Sequence, residues 1–308
     1  MNTTSEIQMV TEKKSIGNLF TIYFNLLRGK QWIKNGFVFI PIMLLFKLPT
    51  LLQLRRITIG AALFCLISSC IYIFNDLIDV ECDRKHPVKK YRPIASGKVS
   101  IRKAIVIEVV LTLITLISSW CFKKEFFGVV LTYFLLNIAY SLKLKKYIFI
   151  DVVIISLGFI LRVLAGFLLL NIPLNEKVCI YFLVFIMFLT LFIGMGKRKG
   201  EIGVLEGESK SHRKSLEFYS IELIDQLMLI LITCAIMTYI LFIIEVNVLL
   251  AYLTVPLLLY GIFRYQYLGK NANVLGKPDK MIFMDRPLRY CIIMWGITFI
   301  SICIQKTF

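Results

Sequence analysis

Between Asn75 and Gly97 the chain lines up oxygen ligands and then cations, in an order that suits phosphate chemistry. Asn75, Asp76, Asp79 and Asp83 come first, and Arg84, Lys85, Lys89, Lys90 and Arg92 follow. The carboxylates begin where an apolar run over 57–74 ends. If a helix continues through them, Asp76, Asp79 and Asp83 stand at i, i+3 and i+7 with Asn75 beside them, on one stripe. Carboxylates set so close repel one another unless a cation sits among them, and a donor set made only of oxygen suits Mg²⁺ better than Zn²⁺. The basic half supplies what a phosphate needs, so the stretch reads as a diphosphate site. The competing reading is a solvated loop between two membrane helices, the ordinary place for charge. Helical spacing at the edge of an apolar run argues for use, because charge is costly to place there.

The elements that must position this stretch are membrane helices. The 308 residues are 58% hydrophobic, with 24 Phe and a mean hydropathy of +0.78, which excludes an ordinary soluble domain. Apolar segments run near 36–54, 57–75, 104–122, 126–142, 151–170, 178–196, 227–244, 248–263 and 290–305, each close to the ~20 residues that cross a bilayer. They predict an all-α integral membrane protein of nine transmembrane helices. The seventh and eighth are separated only by Glu245-Val246-Asn247 and form a tight hairpin. A loose tail over 1–14 precedes a single catalytic domain over 15–308. Ile16 to Leu27 carries an apolar stripe followed by Arg28, Lys30, Trp32 and Lys34, and is expected to lie along the membrane interface.

The net charge of +17 is unevenly spread. With the N-terminus in the cytoplasm, the opposite side receives only Lys47, Arg55, Arg56, Lys123, Lys124, Lys177 and Lys306. That asymmetry predicts a cytoplasmic N-terminus, an external C-terminus, and a multi-pass plasma-membrane protein whose charged loops face the cytoplasm. Basic residues confined to short loops beside membrane helices argue against nucleic acid as a partner. The eight Cys fall mostly inside apolar runs and show no C-x-x-C spacing, so they read as small core residues. Arg162 lies inside an apolar segment, which makes it either a functional group or half of a buried ion pair. Asp151 lies eleven residues earlier on the same face, about 16 Å away along a helix, too far to be that partner.

The stretch Asn75 to Gly97 resembles the first Asp-rich motif of the UbiA superfamily of intramembrane prenyltransferases, N-D-x-x-D-x-x-x-D followed by R-P-I-A-S-G. Within the superfamily the chain is most similar to the decaprenyl-phosphate phosphoribosyltransferase branch. Arg28-Gly-Lys-Gln-Trp-Ile-Lys-Asn35 matches its R-x-x-Q-W-x-K-N. Tyr140-Ser-Leu-Lys-Leu-Lys145, Asp151 and Gly158 to Gly166 match its Y-S-x-x-L-K, D and G-F-x-x-R-x-x-A-G. Gly196-Lys-Arg198 with Glu201 matches its G-K-R-x-x-E. The aromatic prenyltransferases carry a second Asp-rich motif after helix 6, and here that loop is basic, with no D-x-x-D.

The resemblance implies transfer of phosphoribose from phosphoribosyl diphosphate to a polyprenyl phosphate, with Mg²⁺. In that scheme Asn75, Asp79 and Asp83 hold the metal, which neutralises the leaving diphosphate. Asp76 binds a second metal, orients a ribose hydroxyl or supports the site from behind. Lys34, Lys89, Arg92, Tyr140, Lys143, Arg162, Lys197 and Arg198 are the candidate substrate-binding residues. A phosphate monoester is already anionic near neutral pH, so neither His86 nor His212 is assigned a proton. The runner-up is a UbiA-type prenyltransferase acting on an aromatic or other acceptor. An ion transporter is a third reading, disfavoured because the charges crowd at one face and not at the midplane. Oligomerisation is left open.

Overall fold

The computed structural model describes residues 19–205, 219–269, 281 and 284–307, and every regular element among them is helical. The expected tail over 1–14 and His212 lie outside the described residues. In chain order the α-helices are α1 (19–26), α2 (Leu51–Ile78), α3 (Val80–Lys85), α4 (Ile101–Phe122), α5 (Lys124–Leu142), α6 (Ile150–Leu170), α7 (Lys177–Leu205), α8 (Ile221–Val246), α9 (Thr254–Leu268) and α10 (Arg286–Thr307). Short 3₁₀ helices cover Lys89–Tyr91, Leu144–Lys146 and Leu249–Leu253, and a long one covers Gly29–Leu45.

Seven of the described helices, α2, α4 to α8 and α10, are long and apolar enough to cross a membrane. Two of the nine expected spans take another form. The first, 36–54, falls mainly on the 3₁₀ helix Gly29–Leu45, which contains Pro41 and so has one backbone donor fewer to offer a ladder. The eighth, 248–263, is split between Leu249–Leu253 and the 15-residue α9.

The break between the first two spans also sits earlier than the charges suggest. Arg55 and Arg56 lie inside α2, which begins at Leu51. A reciprocal cap starts that helix: Thr50 N donates to Gln53 Oε1 at 2.9 Å and Gln53 N donates to Thr50 Oγ1 at 3.3 Å. Two orphan donors of the first turn are satisfied this way, and a pair of arginines is readily carried on the solvated end of a helix.

The chain divides into two compact units, residues 1–36 with 59–138 and residues 37–58 with 139–308. In the first, Leu26, Ile73, Ile94, Val99 and Ala104 form a small buried core beneath the acidic stretch. Phe64 packs against Phe126 and, at 5.2 Å between ring centres, Tyr133. Ser100 caps α4 by accepting from Lys103 N.

In the second unit α7 packs along both α6 and α8, and α9 packs on α10. Lipid is as apolar as leucine, so close packing and interhelical hydrogen bonds do the holding, the latter at about 0.6 kcal/mol each. Ser156 and Thr190 join α6 to α7 at 2.7 Å. Tyr239 donates to Thr254 Oγ1 at 2.6 Å and accepts from Trp295 Nε1 at 2.7 Å, tying α8, α9 and α10 together. Gly166 permits a close crossing: a Cβ there would meet Val38 O at 2.2 Å and Pro41 Cγ at 2.8 Å. Asn171 and Asn247 end α6 and α8 in the left-handed conformation, and the second of these makes the hairpin break expected at Glu245-Val246-Asn247.

Candidate active site

The first unit places the acidic stretch at the end of α2. The α-helix stops at Ile78, Asp79 adopts φ −90° and ψ 7°, and α3 resumes at Val80. The break is shallow, because Asp79 N still donates to Asn75 O at 3.0 Å and Asp83 N to Asp79 O at 2.8 Å. Asp76 and Asp83 therefore remain on one side, both buried at 3% exposure. Their carboxylates converge on a single atom: Arg92 Nη1 donates to Asp76 Oδ1 at 3.1 Å and also to Asp83 Oδ2. Arg28 donates to Asp76 Oδ1 as well, with its guanidinium 4.9 Å from the centre of the Tyr72 ring.

Local structure explains how both arginines arrive. Arg28 has φ 51°, a left-handed turn between α1 and the long 3₁₀ helix. The segment after it is pinned to α2 by Trp32 Nε1 donating to Ser69 Oγ at 2.9 Å and by buried Asn35 Nδ2 donating to Ser68 Oγ at 3.1 Å. Ser69 Oγ in turn donates to Leu27 O at 2.8 Å. Arg92 is fixed by the loop on its C-terminal side. Ser96 N donates to Arg92 O at 2.9 Å, Gly97 turns the chain at φ 76°, and Ile94 and Val99 anchor the loop in the small core. That φ is open to glycine at no steric cost.

In the second unit Asp151, Arg198, Glu201 and Tyr219 form a separate cluster. Arg198 is 1% exposed and Asp151 is fully buried. Arg198 Nη2 lies 2.8 Å from Asp151 Oδ2, and Nη1 donates to Glu201 Oε2. The first contact is an ion pair without hydrogen-bond alignment, which leaves Asp151 Oδ2 and Arg198 Nε with no hydrogen-bond partner among the described residues. Tyr219 closes the group, accepting from Phe149 N at 2.8 Å and donating to Asp151 Oδ1 at 3.3 Å. Burial pushes the Tyr219 phenol up to about 12, and the Asp151 carboxylate adds to the effect, so the hydroxyl keeps its proton throughout the physiological range.

The other expected site residues are spread over both units. Lys89 and Lys143 are exposed, and Asn75, Asp79, Lys34, Tyr140 and Lys197 are half-buried. Tyr140 lies within electrostatic reach of Arg198. Arg162 is buried and donates to Gly158 O, one turn back on its own helix, at 2.7 Å. Four residues outside the expected set belong to the clusters: Arg28, Asp151, Glu201 and Tyr219. Arg28 opens the R-x-x-Q-W-x-K-N stretch but is 48 residues from Asp76, and nothing local marks Tyr219.

The donor chemistry at the first cluster fits a hard divalent cation. Asp76 and Asp83 already converge on one cationic nitrogen, and Asn75 and Asp79 are further oxygen-bearing residues on the same stretch of chain. Among the described residues no set of three or more His, Cys, Asp or Glu side chains is gathered tightly enough to cage a metal alone. An ion here would take its remaining ligands from water and phosphate oxygens, as Mg²⁺ commonly does.

The profile of the UbiA prenyltransferase family matches residues 37–285. The chain belongs to the UbiA prenyltransferase family. Decaprenyl-phosphate phosphoribosyltransferase of Mycobacterium tuberculosis is 28% identical over 290 residues, covering 90% of this chain and 93% of the relative. The Corynebacterium glutamicum protein of the same name is 28% identical over 313 residues, covering 95% and 90%. A UbiA homolog from Archaeoglobus fulgidus, solved bound to GPP and Mg²⁺, superimposes with a TM-score of 0.68 at 15% identity, covering 92% of this chain and 99% of that one. This UbiA-family chain is thus a multi-pass transferase of the prenyl- or pentosyl-transferring kind.

Proposed function

We propose that this protein transfers 5-phosphoribose from phosphoribosyl diphosphate to a polyprenyl phosphate, releasing diphosphate, at the cytoplasmic face of the plasma membrane. The observation that carries the reading is the contrast between the two units. The first holds carboxylates convergent on a cation. The second carries Lys197 and an Arg198 neutralised by acids at the end of α7, where aromatic relatives have a second acidic motif. Two phosphorylated substrates need more cation and less carboxylate than one prenyl diphosphate and a neutral phenol. The names of the relatives with near-complete coverage point the same way.

In this reading an oxygen of the lipid phosphate attacks the anomeric carbon, and the bond from that carbon to the diphosphate oxygen breaks. Asn75, Asp79 and Asp83 would hold Mg²⁺, which supplies Lewis-acid stabilisation of the leaving diphosphate when bound. Asp76 orients Arg28 and Arg92. Lys34, Lys89, Tyr140, Lys143, Arg162 and Lys197 are the proposed substrate-binding residues. Fixing both anions is worth more than a general base here, because the attacking oxygen is already ionised. Nine crossings with the N-terminus inside and the C-terminus outside complete the proposal; at about 2 Å per residue the 17-residue 3₁₀ helix rises about 34 Å, enough for one of them.

The test is a transfer assay in detergent with labelled phosphoribosyl diphosphate, a long polyprenyl phosphate and Mg²⁺. Labelled lipid from wild type, lost in folded Asp79→Asn and Asp83→Asn, supports the proposal. No labelled lipid across several chain lengths, with prenylation of a phenolic acid from a prenyl diphosphate instead, would replace it with the aromatic reading.

A further inference from the structure

We infer that Asp151, Glu201 and Tyr219 are positioning residues that hold Arg198 as an internal strut, so that Lys197 and the turn from Lys143 to Lys145, and not Arg198, meet the anionic substrate. The inference rests on the reading of this chain as an enzyme of phosphorylated substrates. It reassigns Arg198 from binding to support.

Arg198 directs its amino groups to Asp151 and Glu201 at 1% exposure. A phosphate reaching it would have to displace two carboxylates, of which Asp151 is fully buried and Glu201 partly exposed. Such a triad is seldom favourable against apolar packing of the same volume, and its best-attested use is to fix one arrangement among several. Here the arrangement fixed is the meeting of three helix ends. Asp151 stands in the first turn of α6, where the helix dipole favours a carboxylate. Arg198 and Glu201 lie one turn apart near the end of α7. Tyr219 precedes α8 and reaches back to Phe149, whose φ of 64° is a strained value for a residue with a Cβ. Its ring also packs edge-on against that of Phe149 at 5.5 Å. The hydrogen bond to Phe149 N and the ring contact hold a turn that would otherwise relax, and that turn leads directly from Lys143 and Lys145. One residue before Arg198, Lys197 is rotated about 100° around the helix and is half-buried, not enclosed.

The experiment measures binding of inorganic diphosphate with Mg²⁺ to the purified full chain by calorimetry, alongside thermal unfolding and the steady-state constants for transfer. Tyr219→Phe keeps the ring contact and loses one hydroxyl. It should weaken diphosphate binding by roughly three- to thirtyfold, the scale of the one to two hydrogen bonds lost, and raise KM while kcat changes little. Asp151→Asn should weaken binding further, and Asp151→Glu should restore most of it. Lys197→Met should weaken binding with no loss of thermal stability. If Tyr219→Phe and Asp151→Asn bind as wild type does while charge-preserving Arg198→Lys loses binding about a hundredfold, Arg198 touches the anion and the inference falls. If wild type itself fails to bind diphosphate, the inference falls too. Binding by wild type with no phosphoribosyl transfer would sink the donor assignment alone and leave the strut standing.

Discussion

Replacing Arg92 by Met tests the first cluster more directly than removing a carboxylate. Arg92 is the atom-level meeting point of Asp76 and Asp83, whose side chains are 3% and 4% exposed, while its own is 27% exposed. Breaking a fully buried pair costs about 3–5 kcal/mol, because the remaining charge stays desolvated. Two facts reduce that figure: Arg92 is partly solvated, and Asp76 retains Arg28. Asp83 is the carboxylate left exposed to the loss, so a cost of about 2–3 kcal/mol is expected. For a chain of this size that corresponds to about 5 °C in unfolding temperature. A divalent cation would replace the missing positive charge. Thermal unfolding in detergent, with and without millimolar Mg²⁺, should therefore show the ion recovering more stability in Arg92→Met than in wild type. Equal shifts in the two proteins would mean that Asp83, freed of Arg92, takes no part in a cation site. An Arg92→Met protein as stable as wild type would mean that the pairing is not energetically significant.

Gly166→Ala should cost about 1–3 kcal/mol, because its Cβ would collide with the Val38 carbonyl and the Pro41 ring. Gly128→Ala, with open space around it, should be neutral or stabilising by up to about 1 kcal/mol, and thermal unfolding of the pair checks both. Trp32→Phe keeps an aromatic ring but loses the bond to Ser69; it should cost about 1 kcal/mol and lower transfer activity by loosening the segment that delivers Arg28. The hydrogen bond from Arg264 beside it lowers the Asp285 carboxyl below the usual carboxylate range. Its folded pKa is depressed, so its contribution is present above about pH 4 and lost as pH falls through the folded value. Asp285→Asn should accordingly be less stable than wild type at pH 7, and the gap should close in acid unfolding.

Most of the helices are legible in the sequence because apolar runs of membrane length leave little else for the chain to do. The pairing of Asp76 with Asp83 is legible because their period survives the turn at Asp79. What the sequence hides is of another kind. The start of α2 is set by a reciprocal Thr50–Gln53 cap, a weaker signal than the neighbouring Arg55 and Arg56, which drew the expected boundary too late. Arg28 meets Asp76 across 48 residues, and no local spacing encodes that. Asp151 invites a search along its own helix, where Arg162 is too distant. Its partner is on α7, and the meeting is produced by how α6 and α7 pack.

Both clusters answer one electrostatic problem. An enzyme that gathers phosphates at a membrane edge needs many cations there, and bare cations set close together would repel each other and spread the helix ends apart. In the first unit Asp76 accepts from Arg28 and Arg92 at the same oxygen, so two guanidinium groups stay side by side without a phosphate between them. In the second, Asp151 and Glu201 neutralise Arg198 while Lys197 next to it keeps a half-buried place. The buried acids thus act mainly on the protein's own arginines. On this argument Asp76→Asn should weaken diphosphate binding by letting Arg28 and Arg92 separate, while leaving the affinity for Mg²⁺ alone nearly unchanged. Calorimetry with each titrant decides it, and a loss of Mg²⁺ affinity as large as the loss for diphosphate would make Asp76 a metal ligand instead.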